Sequence, residues 1–170
     1  TYDKAAIRTA IDHFSETIYP AVRAVYGEEA SPGVDNDPRL HILNTNGLGT
    51  GVAGYFLGGD QYSNRVLPHS NQKELFFMSL GWANSVGYSA EYEEVWAHEF
   101  QHMIHANHDK TEQAWVNEGL SESAKEIAGY AAGSSFAFVF ANMPATQLND
   151  WGGATDNNSA HYGAAFLFMH

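Results

Sequence analysis

His98, Glu99 and His102, in the run AHEFQH at residues 97–102, combine two imidazoles four positions apart with a carboxylate directly after the first. On a helix, residues four apart share a face, so both rings can reach one tetrahedral ion. Glu99 projects beside them, where it can take a proton from an activated water. The flanking residues predict such a helix over 91–107. At about 100° per residue, Tyr92, Trp96, Phe100, Met103 and Ile104 form one apolar arc beside the imidazoles, so one face packs while the neighbouring one presents ligands.

A catalytic ion of this kind takes a third protein ligand and keeps a fourth position open for water. Two residues compete for that place. His108 completes the spacing H-E-x-x-H-x-x-H-x-x-H, which metzincins share, but His105 stands where their turn requires a glycine. Glu118, in WVNEGLSE at residues 115–122, is the alternative. Val116, Leu120, Ala124, Ile127 and Ala131 mark the apolar face of a second helix, predicted over 112–131, and a carboxylate delivered by a second helix suits a His₂Glu site. Glu122, one turn further on, is placed to accept the free ring N–H of a ligating imidazole.

The remaining sequence supplies the frame. Ile7, Ala10, Ile11, Phe14 and Ile18 predict a helix over 3–19, kinked or restarted at Pro20. Strands are expected at LHILN (40–44), VAGYFL (52–57) and ELFFMSLGW (74–82), separated by turn-rich stretches such as SPGVDNDP and NGLGTG. A last helix opens near Ser159. Asp35 and Asp37 offer oxygen ligands for a calcium ion, although a turn before a strand explains them equally well.

Composition narrows the field of functions. The chain of 170 residues has 44% hydrophobic content, enough for the core of one domain. Twenty acidic residues against eight basic ones argue against nucleic acid or an anionic membrane as partner. Without cysteine, any metal must be held by imidazole, carboxylate or backbone oxygen. No apolar run reaches membrane-spanning length.

HEFQHMI followed by WVNEGLSE resembles the gluzincin metallopeptidases, whose zinc site joins H-E-x-x-H to a downstream N-E-x-x-[S/A]. Within that clan the chain is similar to the hyicolysin-like neutral zinc metallopeptidases, with their HE[FY]QH, N-E-G-L and later Y-G-A-x-[FY]-L-F segments, here HEFQH, NEGL and YGAAFLF. The resemblance implies an α+β, zincin-like fold: a mixed twisted sheet, its antiparallel edge strand packed against the active-site helix, followed by further helices. It implies one catalytic zinc ion on His98, His102 and Glu118, with Glu99 as general base and Glu122 as an acidic support. It also implies Tyr162 as the oxyanion donor, with His161 as the fallback, and VAGYFL as the strand that binds extended peptide.

The expected activity is that of a secreted zinc endopeptidase acting on peptides or proteins. A zinc aminopeptidase is the second reading, although the G-x-M-E-N anchor of that family is absent. A noncatalytic metal- or peptide-binding module is the third. Residues 1–170 are expected to form the metal-bearing catalytic domain of a longer enzyme, ending within the first part of a helical subdomain.

Overall fold

In the computed structural model, which describes residues 3–131, 134–153 and 156–170, a three-stranded sheet lies against a layer of helices. Helix α1 (Lys4–His13) opens at Asp3, whose carboxylate accepts the Ala5 and Ala6 amides. A π-helical turn (Phe14–Ile18) then leads into α2 (Tyr19–Tyr26). The expected break at Pro20 is therefore absorbed rather than made. The wider turn ahead of the proline accommodates its missing N–H, and the apolar stripe of Phe14, Ile18 and Val22 continues unbroken into the core.

Strands β1 (His41–Thr45), β2 (Gly54–Phe56) and β3 (Leu75–Ser79) form a sheet of order β1-β3-β2. β1 runs parallel to β3, and β2 pairs with β3 antiparallel, Tyr55 facing Phe77. β2 is thus an antiparallel edge strand, and the fold is the expected mixed α+β, zincin-like arrangement. The third strand is shorter than its apolar run. Ser79 accepts the Trp82 amide and caps a new helix, α3 (Leu80–Val86), so residues 80–82 leave the sheet.

Helix α4 (Ala90–His108) crosses the sheet. Tyr92, Trp96, Phe100, Met103 and Ile104, the arc read from periodicity, are all buried against Phe14, Ile18, Phe76 and Met78. Glu91 and Glu93 sit in its first turn, where carboxylates complement the helix dipole. Helix α5 (Ala114–Ile127) stops four residues short of the periodicity because Gly129 turns the chain at φ +93°. Helix α6 (Ser134–Asn142), which no sequence signal announced, and α7 (Ser159–Met169) complete the layer. Ser159 is the first helical residue of α7, as expected, and Asn158 takes the cap position. Among the described residues no helix is long and apolar enough to cross a membrane.

Two glycines set how closely α7 approaches. A β-carbon at Gly119 would come within 2.9 Å of the Ala165 carbonyl oxygen, and one at Gly163 within 2.0 Å of that of Phe136. With hydrogen at both positions, α7 lies directly on α5 and α6. That contact carries Tyr162 over the helix bearing Glu118.

Candidate metal centre

Each member of the site descends from a helical spacing. His98 and His102 project from one face of α4, and Glu118 and Glu122 from one face of α5. Packing of α5 on α4 brings the two faces together. His98 Nε2 lies 3.0 Å from His102 Nε2, and Glu118 Oε2 lies 3.2 and 3.4 Å from these nitrogens. Among the described residues this is the group of His, Asp and Glu side chains arranged to hold a metal ion.

The protons of the site show what belongs at its centre. His98 Nδ1 sits 3.0 Å from Glu122 Oε1, so it carries the hydrogen and donates. His102 Nδ1 faces Asn117 Oδ1 at 3.0 Å and Ser121 Oγ at 2.9 Å. Ser121 gives its own hydrogen to Gln101 or to the Asn117 carbonyl, so His102 Nδ1 also donates. Both Nε2 lone pairs then point at one another and at a carboxylate oxygen. Glu118 Oε2 is buried and neither imidazole contact has hydrogen-bond geometry, so it has no hydrogen-bond partner. Three converging lone pairs repel unless a cation sits among them. Zinc ligands at about 2.0–2.2 Å in a tetrahedron stand about 3.3–3.6 Å apart, close to the triangle seen here.

Electrostatics point the same way. Burial disfavours a charged His98, yet its contacts with Glu118 and Glu122 and their negative charge push its pKa up to about 10. Burial likewise works against an ionised Glu118, but the facing His102 and His98 hold its carboxyl well below the usual carboxylate range. A site that favours both a cationic imidazole and an ionised glutamate favours positive charge where they meet. A divalent ion supplies it in place of the second imidazole proton.

Glu99 lies beside the triangle, 6% exposed. Burial raises its pKa, opposed by the charges of His98 and His102 and by the Phe56 amide. Gly54 leaves the space it occupies: a β-carbon there would fall 2.9 Å from Glu99 Oε1. Tyr162 lines the same cavity as His98, Glu99, His102 and Glu118. Burial and the negative charge of Glu118 push its pKa above the ordinary tyrosine range, so its hydroxyl remains a proton donor. His161 instead stacks toward Trp151, ring centroids 5.7 Å apart, and does not line the cavity.

The other sequence candidates lie elsewhere. α4 stays helical through His108, whose ring packs on Gly27 and not on the triangle, because His105 cannot make a glycine turn. Of the two readings of Asp35 and Asp37, the turn reading fits: Asp35 Oδ1 accepts the Asp37 amide and Asp37 Oδ1 accepts the Arg39 amide. Asp35 contacts Lys73 Nζ at 2.6 Å and Asp37 pairs with Arg39 at 2.7 Å, so their charges are already met by protein cations. Asn117 and Ser121, which fix His102, were not anticipated; their place one residue before Glu118 and one before Glu122 was the available signal.

The chain is similar to a metalloprotease. A neutral metalloprotease named ShpI, from Staphylococcus hyicus, is 30% identical over 136 residues, 68% of this chain. That match supports a metalloprotease family, and it fits a metal cofactor on the histidine and glutamate group. The matched region is 29% of the relative's own length, so the chain spans under a third of it. No family model matches the chain.

Glu122 yields a direct expectation. It is 2% exposed, and Glu122→Ala removes the acceptor of His98 Nδ1–H without touching the triangle. Metal affinity should fall about 10- to 100-fold, the usual cost of losing such a partner. Competition with a chromophoric chelator measures it, and an unchanged affinity would show that Glu122 does not orient His98.

Proposed function

We propose that the chain carries the active site of a zinc-dependent endopeptidase, with His98, His102 and Glu118 as metal ligands and Glu99 as general base. The observation that carries this reading is the convergence of three acceptor atoms within 3.0–3.4 Å, one of them a buried carboxylate oxygen without a hydrogen bond. Zinc on these atoms would supply a Lewis acid that polarises a carbonyl and eases deprotonation of water. Imidazole and carboxylate donors in a cysteine-free site suit that ion.

The chain's own residues do the rest. Glu99, made a stronger base by burial, accepts a proton from the attacking water and returns it to the leaving amine. Tyr162, held protonated, donates to the oxygen on which charge develops. β2 pairs on one side only, so its free edge can bind extended peptide next to Glu99. Glu122, Asn117 and Ser121 hold the imidazoles in the tautomer that aims both Nε2 atoms at the ion. Export from the cell belongs to this proposal as well.

The reading is tested with peptides blocked at the N-terminus. The chain loaded with one equivalent of zinc should cleave them at internal bonds, lose that activity to a chelator and regain it on adding zinc. An enzyme that required a free amino terminus would be an aminopeptidase. Tight zinc binding with no turnover of any peptide would leave a binding module.

A further inference from the structure

The two imidazoles of the metal centre are held by chemically different partners. His98 Nδ1 meets the Glu122 carboxylate, which only accepts hydrogen bonds and so dictates by itself that the ring carries its hydrogen there. His102 Nδ1 meets Asn117 Oδ1 and Ser121 Oγ instead, at 3.0 and 2.9 Å. Both of these groups can donate as well as accept: a hydroxyl turns about its C–O bond, and an amide can present its nitrogen in place of its oxygen. Neither alone prevents the tautomer with hydrogen on Nε2, which would close that nitrogen to the ion. Asn117 also lines the cavities beside the triangle, where water can meet either end of its amide. A further group must set the direction of the hydrogen bonds at His102.

Gln101 is in place to do so. It is 1% exposed, and the catalytic reading leaves it without a role. Gln101 and His102 are neighbours on α4, so their side chains stand about 100° apart around the helix. Ser121, fully buried on α5, reaches both with its hydroxyl. Ser121 Oγ donates to Gln101 Oε1, a closer contact than the 3.0 Å to the Asn117 carbonyl. With its single hydrogen committed to Gln101, Ser121 can only accept from His102 Nδ1. The other end of the amide, Gln101 Nε2, is buried without a hydrogen-bond partner. Such an unmet donor is uncommon and costly, and an apolar side chain of similar size would fill the space without it. The oxygen end is therefore what the position requires.

Resting on the reading of His98, His102 and Glu118 as metal ligands, we propose that Gln101 is a positioning residue that acts through the Ser121 hydroxyl to hold His102 in the tautomer whose Nε2 lone pair faces the ion. The relay runs from His102 Nδ1–H to Ser121 Oγ, and from Ser121 O–H to Gln101 Oε1. Each hydrogen points away from the metal, and each bond polarises the next. His98, held by a carboxylate, needs no such relay. A neutral pair of buried side chains thus does for the second imidazole what Glu122 does for the first.

Zinc affinity, measured by competition with a chromophoric chelator, reads this role without recourse to turnover. Gln101→Leu removes the acceptor at similar volume, and zinc should bind roughly 10-fold more weakly. Ser121→Ala breaks the same relay one step nearer the ring and should cost about as much. The double variant should then lie within about twofold of either single one, whereas two independent packing losses would multiply. Gln101→Glu, which still accepts from Ser121, should return to within about threefold of the parent. Gln101→Met takes the place of the leucine variant if that one does not fold. Losses that multiply in the double variant, a Gln101→Leu protein within about threefold of the parent, or a glutamate that restores nothing would each overturn the proposal while the metal site stands. A parent chain that takes up no zinc removes the metal reading, and this role with it.

Discussion

Glu99→Gln should keep its zinc and lose nearly all hydrolysis. Glu99 is buried beside the triangle but contributes no atom to it, so the metal should bind with its affinity little changed. Glutamine fills the same volume and its oxygen can still accept the Phe56 amide. What it cannot do is accept a proton from water. General base catalysis contributes about 100- to 10,000-fold, so kcat should fall by that much, or about 3 to 5 kcal/mol in barrier. Metal content by atomic absorption and kcat on a blocked peptide, measured on the same preparation, check both halves. Substantial activity in a zinc-replete variant would take Glu99 out of the mechanism.

Glu118→Ala should have the opposite signature and empty the site. Its Oε2 is the acceptor without a hydrogen bond, and among the described residues no other carboxylate shares the triangle with the two imidazoles. Loss of a ligand should weaken zinc by more than the roughly 10- to 100-fold that removal of a supporting partner costs. His108→Ala serves as the comparison. That ring packs on Gly27, away from the triangle, so zinc affinity should stay within about threefold of the parent. Chelator competition on the two variants decides between the carboxylate and the third histidine. A collapse of affinity in His108→Ala with Glu118→Ala unaffected would reverse the ligand assignment.

These two expectations rest on the part of the molecule that local sequence describes well. The spacing of His98 and His102 on one helix face, and of Glu118 and Glu122 on another, follows from 3.6 residues per turn whatever the surroundings. The apolar arc of α4 was readable for the same reason. The edge position of VAGYFL came from the family resemblance and not from periodicity, and only Gly54–Phe56 of that run form the strand. Boundaries were less legible. Residues 80–82 are apolar enough for a strand, and only the Ser79 cap turns them into a helix. Pro20 reads as a break, yet a π-helical turn lets the core stripe pass through it.

The sequence by itself determined which faces exist: two imidazoles with a carboxylate between them on α4, and a stripe of Glu118, Glu122 and Lys125 on α5. Tertiary structure alone decided that the faces meet. The convergence of His98, His102 and Glu118 depends on how α5 packs on α4, and the placing of Tyr162, but not His161, in the lining of the cavity depends on α7 lying against α5 and α6 at Gly119 and Gly163. Helical periodicity is a property of neighbouring residues and is written in their spacing. The distance between helices is set by the sizes of side chains far apart in the sequence, and a missing β-carbon at two glycines places the tyrosine where spacing could not.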